Sequence, residues 1–197
     1  MSKIKYLLLI LLLINGCNNK DNPITPIEKP SIIPLKIGNQ WLGEAERIGN
    51  DGSVITSSYV GIFVIGSSIV DSTDLFILLR DGQQYSCLNT DSGFVYNWNN
   101  QNYWQYKYPA VVGEQFPTSS NTYKVIVSTD TTITTEYGKY NCYHYSLRFY
   151  DHNSHTEEFV SPNIGFIYLE HYQTDGPTPE IFLYSRITYN PILINSD

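Results

Sequence analysis

Cys142-Tyr143-His144-Tyr145-Ser146-Leu147-Arg148-Phe149-Tyr150 is the stretch that settles the fold class. In an extended chain Tyr143, Tyr145, Leu147 and Phe149 share one side, and His144, Ser146 and Arg148 share the other. Successive strand side chains point to opposite faces, so this pattern suits a sheet with one face in a core and one partly wet. Glu180 to Tyr189 repeats it, with Ile181, Leu183 and Ile187 opposite Phe182, Tyr184 and Arg186. Outward from these two segments, Tyr, Thr, Val and Ile remain abundant and no stretch carries a 3.6-residue apolar period. Turn signals recur at Asn50-Asp51-Gly52, Asp71 to Asp74, Asp81-Gly82, Asp91-Ser92-Gly93, Asn99-Asn100, Tyr137-Gly138, Asp151-His152-Asn153, Pro162-Asn163 and Asp175-Gly176-Pro177. That rhythm belongs to an antiparallel sandwich or barrel, not to alternating strands and helices. The sequence predicts an all-β domain.

The N-terminus has a different character. Lys3 and Lys5 precede an unbroken apolar run from Tyr6 to Ile14, followed by Asn15-Gly16-Cys17. Charge, a short apolar core and a small residue at the cut are the parts of an export signal. The run is far short of the ~20 residues that a membrane-spanning helix needs. Ile14-Asn15-Gly16-Cys17 resembles the lipobox of bacterial lipoproteins, which implies cleavage before Cys17 and lipid on its sulfur. Prolines 23, 26, 30 and 34 then keep the following residues from regular helix or sheet. The expected organisation is a signal peptide over 1–16, a lipidated Pro-rich tether over 17–34 and a β domain over 35–197. Asn18 stands where an aspartate would resemble an inner-membrane retention signal, which makes the outer membrane the expected address, on its periplasmic or its surface face.

The chain is acidic, with a formal net charge of −7, and has no basic run. It is built neither for nucleic acid nor for anionic lipid surfaces, so the acyl chains on Cys17 would carry its membrane attachment. With Cys17 modified, Cys87 and Cys142 remain. An oxidising envelope permits a disulfide between them, and each equally suits a small buried strand position.

Pro34-Leu35-Lys36-Ile37-Gly38-Asn39-Gln40-Trp41, Gly138-Lys139-Tyr140-Asn141-Cys142-Tyr143 and Ser161-Pro162-Asn163-Ile164-Gly165-Phe166-Ile167 form a series. That series is similar to a group of uncharacterised envelope lipoproteins. Their domains open on a leucine-x-x-glycine-asparagine-x-tryptophan strand and carry later glycine-x-phenylalanine-x-cysteine and proline-x-x-glycine segments; Tyr140 stands at the phenylalanine position. The resemblance implies a curved antiparallel sheet, barrel-like or half-barrel-like and akin to periplasmic lipoprotein carriers. It brings no catalytic residues.

The densest local feature is Tyr96 to Tyr108, where Tyr96, Trp98, Tyr103, Trp104, Tyr106 and Tyr108 alternate with asparagines and glutamines. Rings beside amides suit a sugar-stacking surface or the mouth of an apolar pocket. The plain alternative is a hairpin turning at Asn99 to Asn102, held by cross-strand aromatic pairs. Tyr96, Trp98, Trp104 and Tyr106 are the expected ligand residues. No metal site or cofactor is expected: His152 and His155 flank a turn without the three or four converging ligands that zinc requires. His144 with Ser146 and Arg148 reads as a solvated sheet face. Glu157 and Glu158 are adjacent, so in a strand they point to opposite faces and cannot act on one bond. No nucleophile elbow or phosphate loop occurs. The chain reads as a non-catalytic envelope lipoprotein that binds an apolar or lipid-like ligand or serves assembly with an envelope partner. A glycan-binding module is the alternative, and an envelope hydrolase a more distant one. If Cys17 carries the anchor, Cys17→Ala releases the protein from membranes on fractionation. Continued membrane association of that variant would overturn the anchor.

Overall fold

The computed structural model describes residues 30–99, 101–174 and 181–194. The signal segment, Cys17 and residues 18–29 of the tether lie outside them. Twelve strands form one antiparallel sheet: β1 (Gln40–Ile48), β2 (Val54–Val70), β3 (Thr73–Arg80), β4 (Gln83–Thr90), β5 (Gly93–Trp98), β6 (Gln101–Lys107), β7 (Gln115–Pro117), β8 (Thr122–Thr135), β9 (Gly138–Phe149), β10 (His155–Ser161), β11 (Gly165–Thr174) and β12 (Ile181–Ile192). Their order is β6-β5-β4-β3-β2-β1-β12-β11-β10-β9-β8-β7, so every neighbour but β1–β12 is joined by a hairpin. The turn signals within the described residues fall between two strands or run into the first residues of one; Asn100 and Asp175-Gly176-Pro177 lie outside the described residues. The Asp81-Gly82 turn has positive φ at both residues, the conformation that two-residue hairpins favour.

The sheet curls on itself into a nearly closed barrel, and its inward face is filled. Trp41, Ile62, Val64, Leu78, Phe94, Ile126, Tyr145 and Val160 form one core from strands all round the sheet. Tyr143 and Tyr145 face this core as their alternation predicts. In β12 the alternation slips: Ser185 pairs His171 and Leu183 pairs Tyr172, which leaves Tyr184 over at a bulge and puts Leu183 out of phase with Ile187.

One end of the barrel, where the β4–β5 and β10–β11 turns lie, is corked by residues expected in the tether. Ile32 and Ile33 are fully buried in the core. Asn163 exchanges two hydrogen bonds with Ser31, at 3.0 and 2.7 Å, and the Asn89 amide donates to the Ile33 carbonyl at 2.7 Å. The packed domain therefore begins at about Pro30, not at Leu35. The segments that carry the family resemblance meet at this same end. The Trp41 indole donates to the Ile164 carbonyl at 2.6 Å, and a Cβ on Gly165 would stand 2.7 Å from that ring, at a φ of +93°. Asn39 donates to the Pro34 carbonyl and accepts from the Ile194 amide, both at 2.8 Å. Those segments build the corked end of the barrel.

Cys87 and Cys142 are both unpaired and buried, in separate clusters. Cys87 faces the barrel core, whereas Cys142 packs with Phe159 and Ile167. The disulfide that the sequence allowed is absent. Burial pushes both thiols up to about 12.

Cork residues are core residues, so Ile33→Ala is expected to cost about 2–5 kcal/mol in urea unfolding. A loss below about 0.5 kcal/mol, the scale of a neutral surface change, would return Ile33 to the tether.

Candidate functional site

A single sheet has two edges, here β6 and β7, and they face one another without pairing. Near the corked end the seam between them is stitched. Tyr145 on β9, the third strand in from the β7 edge, donates its hydroxyl across the seam to the Lys107 carbonyl at 2.7 Å. Lys107 also pairs with Glu114 and lies over the Phe116 ring. Toward the opposite end the edges part. There a groove of about 700 Å³ opens between Tyr85, Tyr96, Trp98, Tyr103 and Trp104 on one side and Pro117 to Ser120 on the other. Among its lining residues none is charged.

The aromatic stretch divides between this groove and the core. Trp98, beside the β5–β6 turn, is 63% exposed, and Tyr96, Tyr103 and Trp104 are half-buried along the groove. Tyr106 is a correction to the expected ligand set. It is buried in the core, edge-on to Tyr145 and 3.8 Å beneath the Lys124 ammonium, and does not line the groove. Tyr108 likewise turns inward, against Tyr143. The bulge between Phe94 and Val95 shifts the pairing of β6 and breaks a simple alternation count through the cluster. The hairpin turns at Asn99, with φ of 50°, while Asn102 lies within β6.

The groove's polar groups are largely satisfied among themselves. Asn97 donates to Asn102 at 2.9 Å, the Tyr103 hydroxyl to Gln101 at 3.0 Å and the Tyr85 hydroxyl to Gln83 at 2.9 Å. Tyr85 and Tyr96 stack on each other at 4.9 Å, which occupies one face of each ring.

Behind Tyr96 the lumen holds a polar layer that the sequence reading did not single out. Lys124, 2% exposed, pairs with Glu158 at 2.5 Å. Burial pulls the lysine's pKa down against the pull of that carboxylate. Burial, reinforced by Glu158, holds Tyr106 well above the ordinary phenol value. Tyr96 and Tyr189 are pushed up to about 12 by burial, while Arg80 close to both works against that rise. The Lys124–Glu158 pair gave no sequence signal because its members stand 34 positions apart, on β8 and β10, which flank β9 in the sheet.

On the outer face the sequence-adjacent carboxylates separate as period-two geometry demands, Glu158 inward and Glu157 outward. His144, Ser146 and Arg148 converge on Glu157 at 2.6, 2.7 and 3.3 Å, and His155 reaches it at 3.4 Å. This face is thus a half-buried network, where a solvated one was expected; Ser146 is fully buried. Serine and histidine both address the acid and not one another, so no activated hydroxyl results. Among the described residues no three His, Cys, Asp or Glu side chains are placed to hold a metal ion. His152 lies 3.6 Å from Asp151 at the surface.

No family model and no curated protein matches this chain. Among solved structures, a crystal structure from Bacteroides fragilis, of a protein described as exported and as having a YmcC-like fold, superposes with a TM-score of 0.49 at 13% identity. The match covers 82% of this chain and 98% of that one. It is a likeness of fold.

The network around Glu157 gives a pH test. Although burial alone would raise its carboxyl, hydrogen bonds from His144 and Ser146 and the charges of His144 and Arg148 hold it below the ordinary glutamate value. A depressed carboxyl stabilises the fold above its unfolded value and loses that contribution as pH falls through the folded one. Glu157→Gln should therefore be less stable than wild type at pH 7, with the gap shrinking below about pH 4.5. A gap independent of pH from 7 to 3 would show that the charge contributes nothing.

Proposed function

We propose that this chain is an exported, lipid-anchored and non-catalytic binding protein of the cell envelope, and that the seam groove holds an apolar, acyl-chain-like ligand. The observation that carries the reading is the groove itself: an uncharged cleft of about 700 Å³ walled by Tyr96, Trp98, Tyr103 and Trp104. That volume is ordinary for a small-molecule site, and apolar walls with a few polar groups are the usual lining. A lipid site inside the half-barrel, the arrangement its curved sheet first suggests, is closed off by the filled core and the Ile32-Ile33 cork. The seam takes its place.

The polar complement favours an apolar ligand over a sugar. A glycan would need free amides and hydroxyls around its rings. Here Asn97, Asn102, Tyr85 and Tyr103 already bond within the protein. A sugar would have to break those bonds, and a broken pair left unsatisfied costs about 1–3 kcal/mol. The exposed ring of Trp98 is the one feature that favours the glycan alternative. For catalysis the candidates are poor nucleophiles: both cysteines are pushed up to about 12, and Ser146 is buried and committed to Glu157. Export and anchoring rest on Met1 to Cys17 and on the lipobox that it resembles.

Trp98→Ala tests the groove, because this ring is mostly in solvent and its loss leaves the core intact. The variant should keep its thermal midpoint within about 2 °C, which for a domain of this size is under ~1 kcal/mol. It should bind a neutral N-phenylnaphthylamine fluorophore about tenfold more weakly, equivalent to about 1.4 kcal/mol. Unchanged affinity in both Trp98→Ala and Trp104→Ala would overturn the site.

A further inference from the structure

The wall of the groove is uncharged, but the layer behind it is not neutral. Arg80 on β3 and Lys124 on β8 face a single inward carboxylate, Glu158 on β10. Glu158 is committed to Lys124 at 2.5 Å and to the Tyr106 hydroxyl. That leaves Arg80 as the excess cation of the layer. Its guanidinium stands close to Tyr96, Tyr106 and Tyr189 and meets an exposed neighbour, Asp81, at 3.4 Å through Nε. Asp81 is 64% exposed, so this contact is a surface one and counts for little. The Arg80 side chain is 33% exposed, so it is not sealed off. A cation placed next to a ligand groove inside a chain of net charge −7 is a local inversion of the protein's own field.

We infer that the groove's ligand is an anionic single-chain amphiphile, with its acyl chain against Trp98 and Trp104 and its carboxylate turned toward Arg80 at the Tyr96 end. This rests on the groove being an apolar-ligand site and adds to it the charge of the head group. Tyr96 links the two parts, since its ring lines the groove and Arg80 stands close behind it. The groove's size suits one chain and not a two-chain phospholipid.

The test uses the chain from residue 17 onward with Cys17→Ser, which keeps it free of its own acyl chains, and the neutral N-phenylnaphthylamine fluorophore as reporter. Dodecanoate and dodecanol, equal in chain length, compete for it at pH 7.5. The acid should displace the fluorophore at a roughly tenfold lower concentration, the scale of one charge-assisted hydrogen bond. Arg80→Gln should bring the two competitors within about twofold while fluorophore binding persists, and Arg80→Lys should keep part of the preference. Equal displacement by acid and alcohol in wild type overturns the inference without any variant, and so does a preference that survives Arg80→Gln. Failure of the fluorophore to bind overturns the groove reading itself, and the inference with it.

Discussion

The hydrogen bond from the Tyr145 hydroxyl to the Lys107 carbonyl is the contact on which the shape of this molecule turns. A sheet of twelve strands has two free edges, and an exposed edge is an invitation to pair with another chain. Twist brings β6 and β7 face to face, but they never form a ladder. A buried side chain from β9, across the seam, anchors the edge strand instead, and the Lys107–Glu114 pair fastens it to the segment leading into β7. Because those stitches lie near the corked end, the remainder of the seam stays open. The filled core and the groove are thus two ends of one closure.

The polar layer lies between these two regimes, and its energetics differ from the core's. A buried ion pair such as Lys124–Glu158 gains Coulomb energy but loses hydration, and the net is often close to zero. What it supplies is definition, since the ammonium of Lys124 has specified partners: the Glu158 carboxylate and the Tyr106 ring beneath it. The tyrosines suit this layer because they bring apolar rings for the core and a hydroxyl that a buried charge can use. The abundance of tyrosine in the sequence has here a concrete cause.

The fold class was legible because two-residue alternation and turn residues are local signals. Tyr143 and Tyr145 fell inward, Glu157 and Glu158 fell on opposite faces, and the turn clusters among the described residues landed at strand junctions. What the sequence concealed depends on closure. Proline count read Pro30 to Pro34 as tether, yet Ile32 and Ile33 complete the core, because a barrel end needs an apolar cap and the chain entering there is at hand. Tyr106 looked like its neighbours Tyr96 and Trp104, until a bulge changed the phase. His144, Ser146 and Arg148 were rightly placed on one polar face, but only the pairing of β9 with β10 could bring them to Glu157. Arg80, at the end of an unremarkable strand, gave no signal. Its meaning comes from Tyr96 and Tyr106 on the β5–β6 hairpin and Tyr189 on β12, which sequence order does not place beside β3.

The cork also fixes which way the groove faces. The chain enters the domain at Pro30, beside the β4–β5 and β10–β11 turns, while the groove opens near the β5–β6 and β7–β8 turns at the other end. The groove therefore lies at the end of the barrel away from the point where the chain enters it. That geometry suits a protein that takes an amphiphile from, or passes it to, another envelope component. The membrane attachment would then set where the exchange takes place, and the open seam what is exchanged.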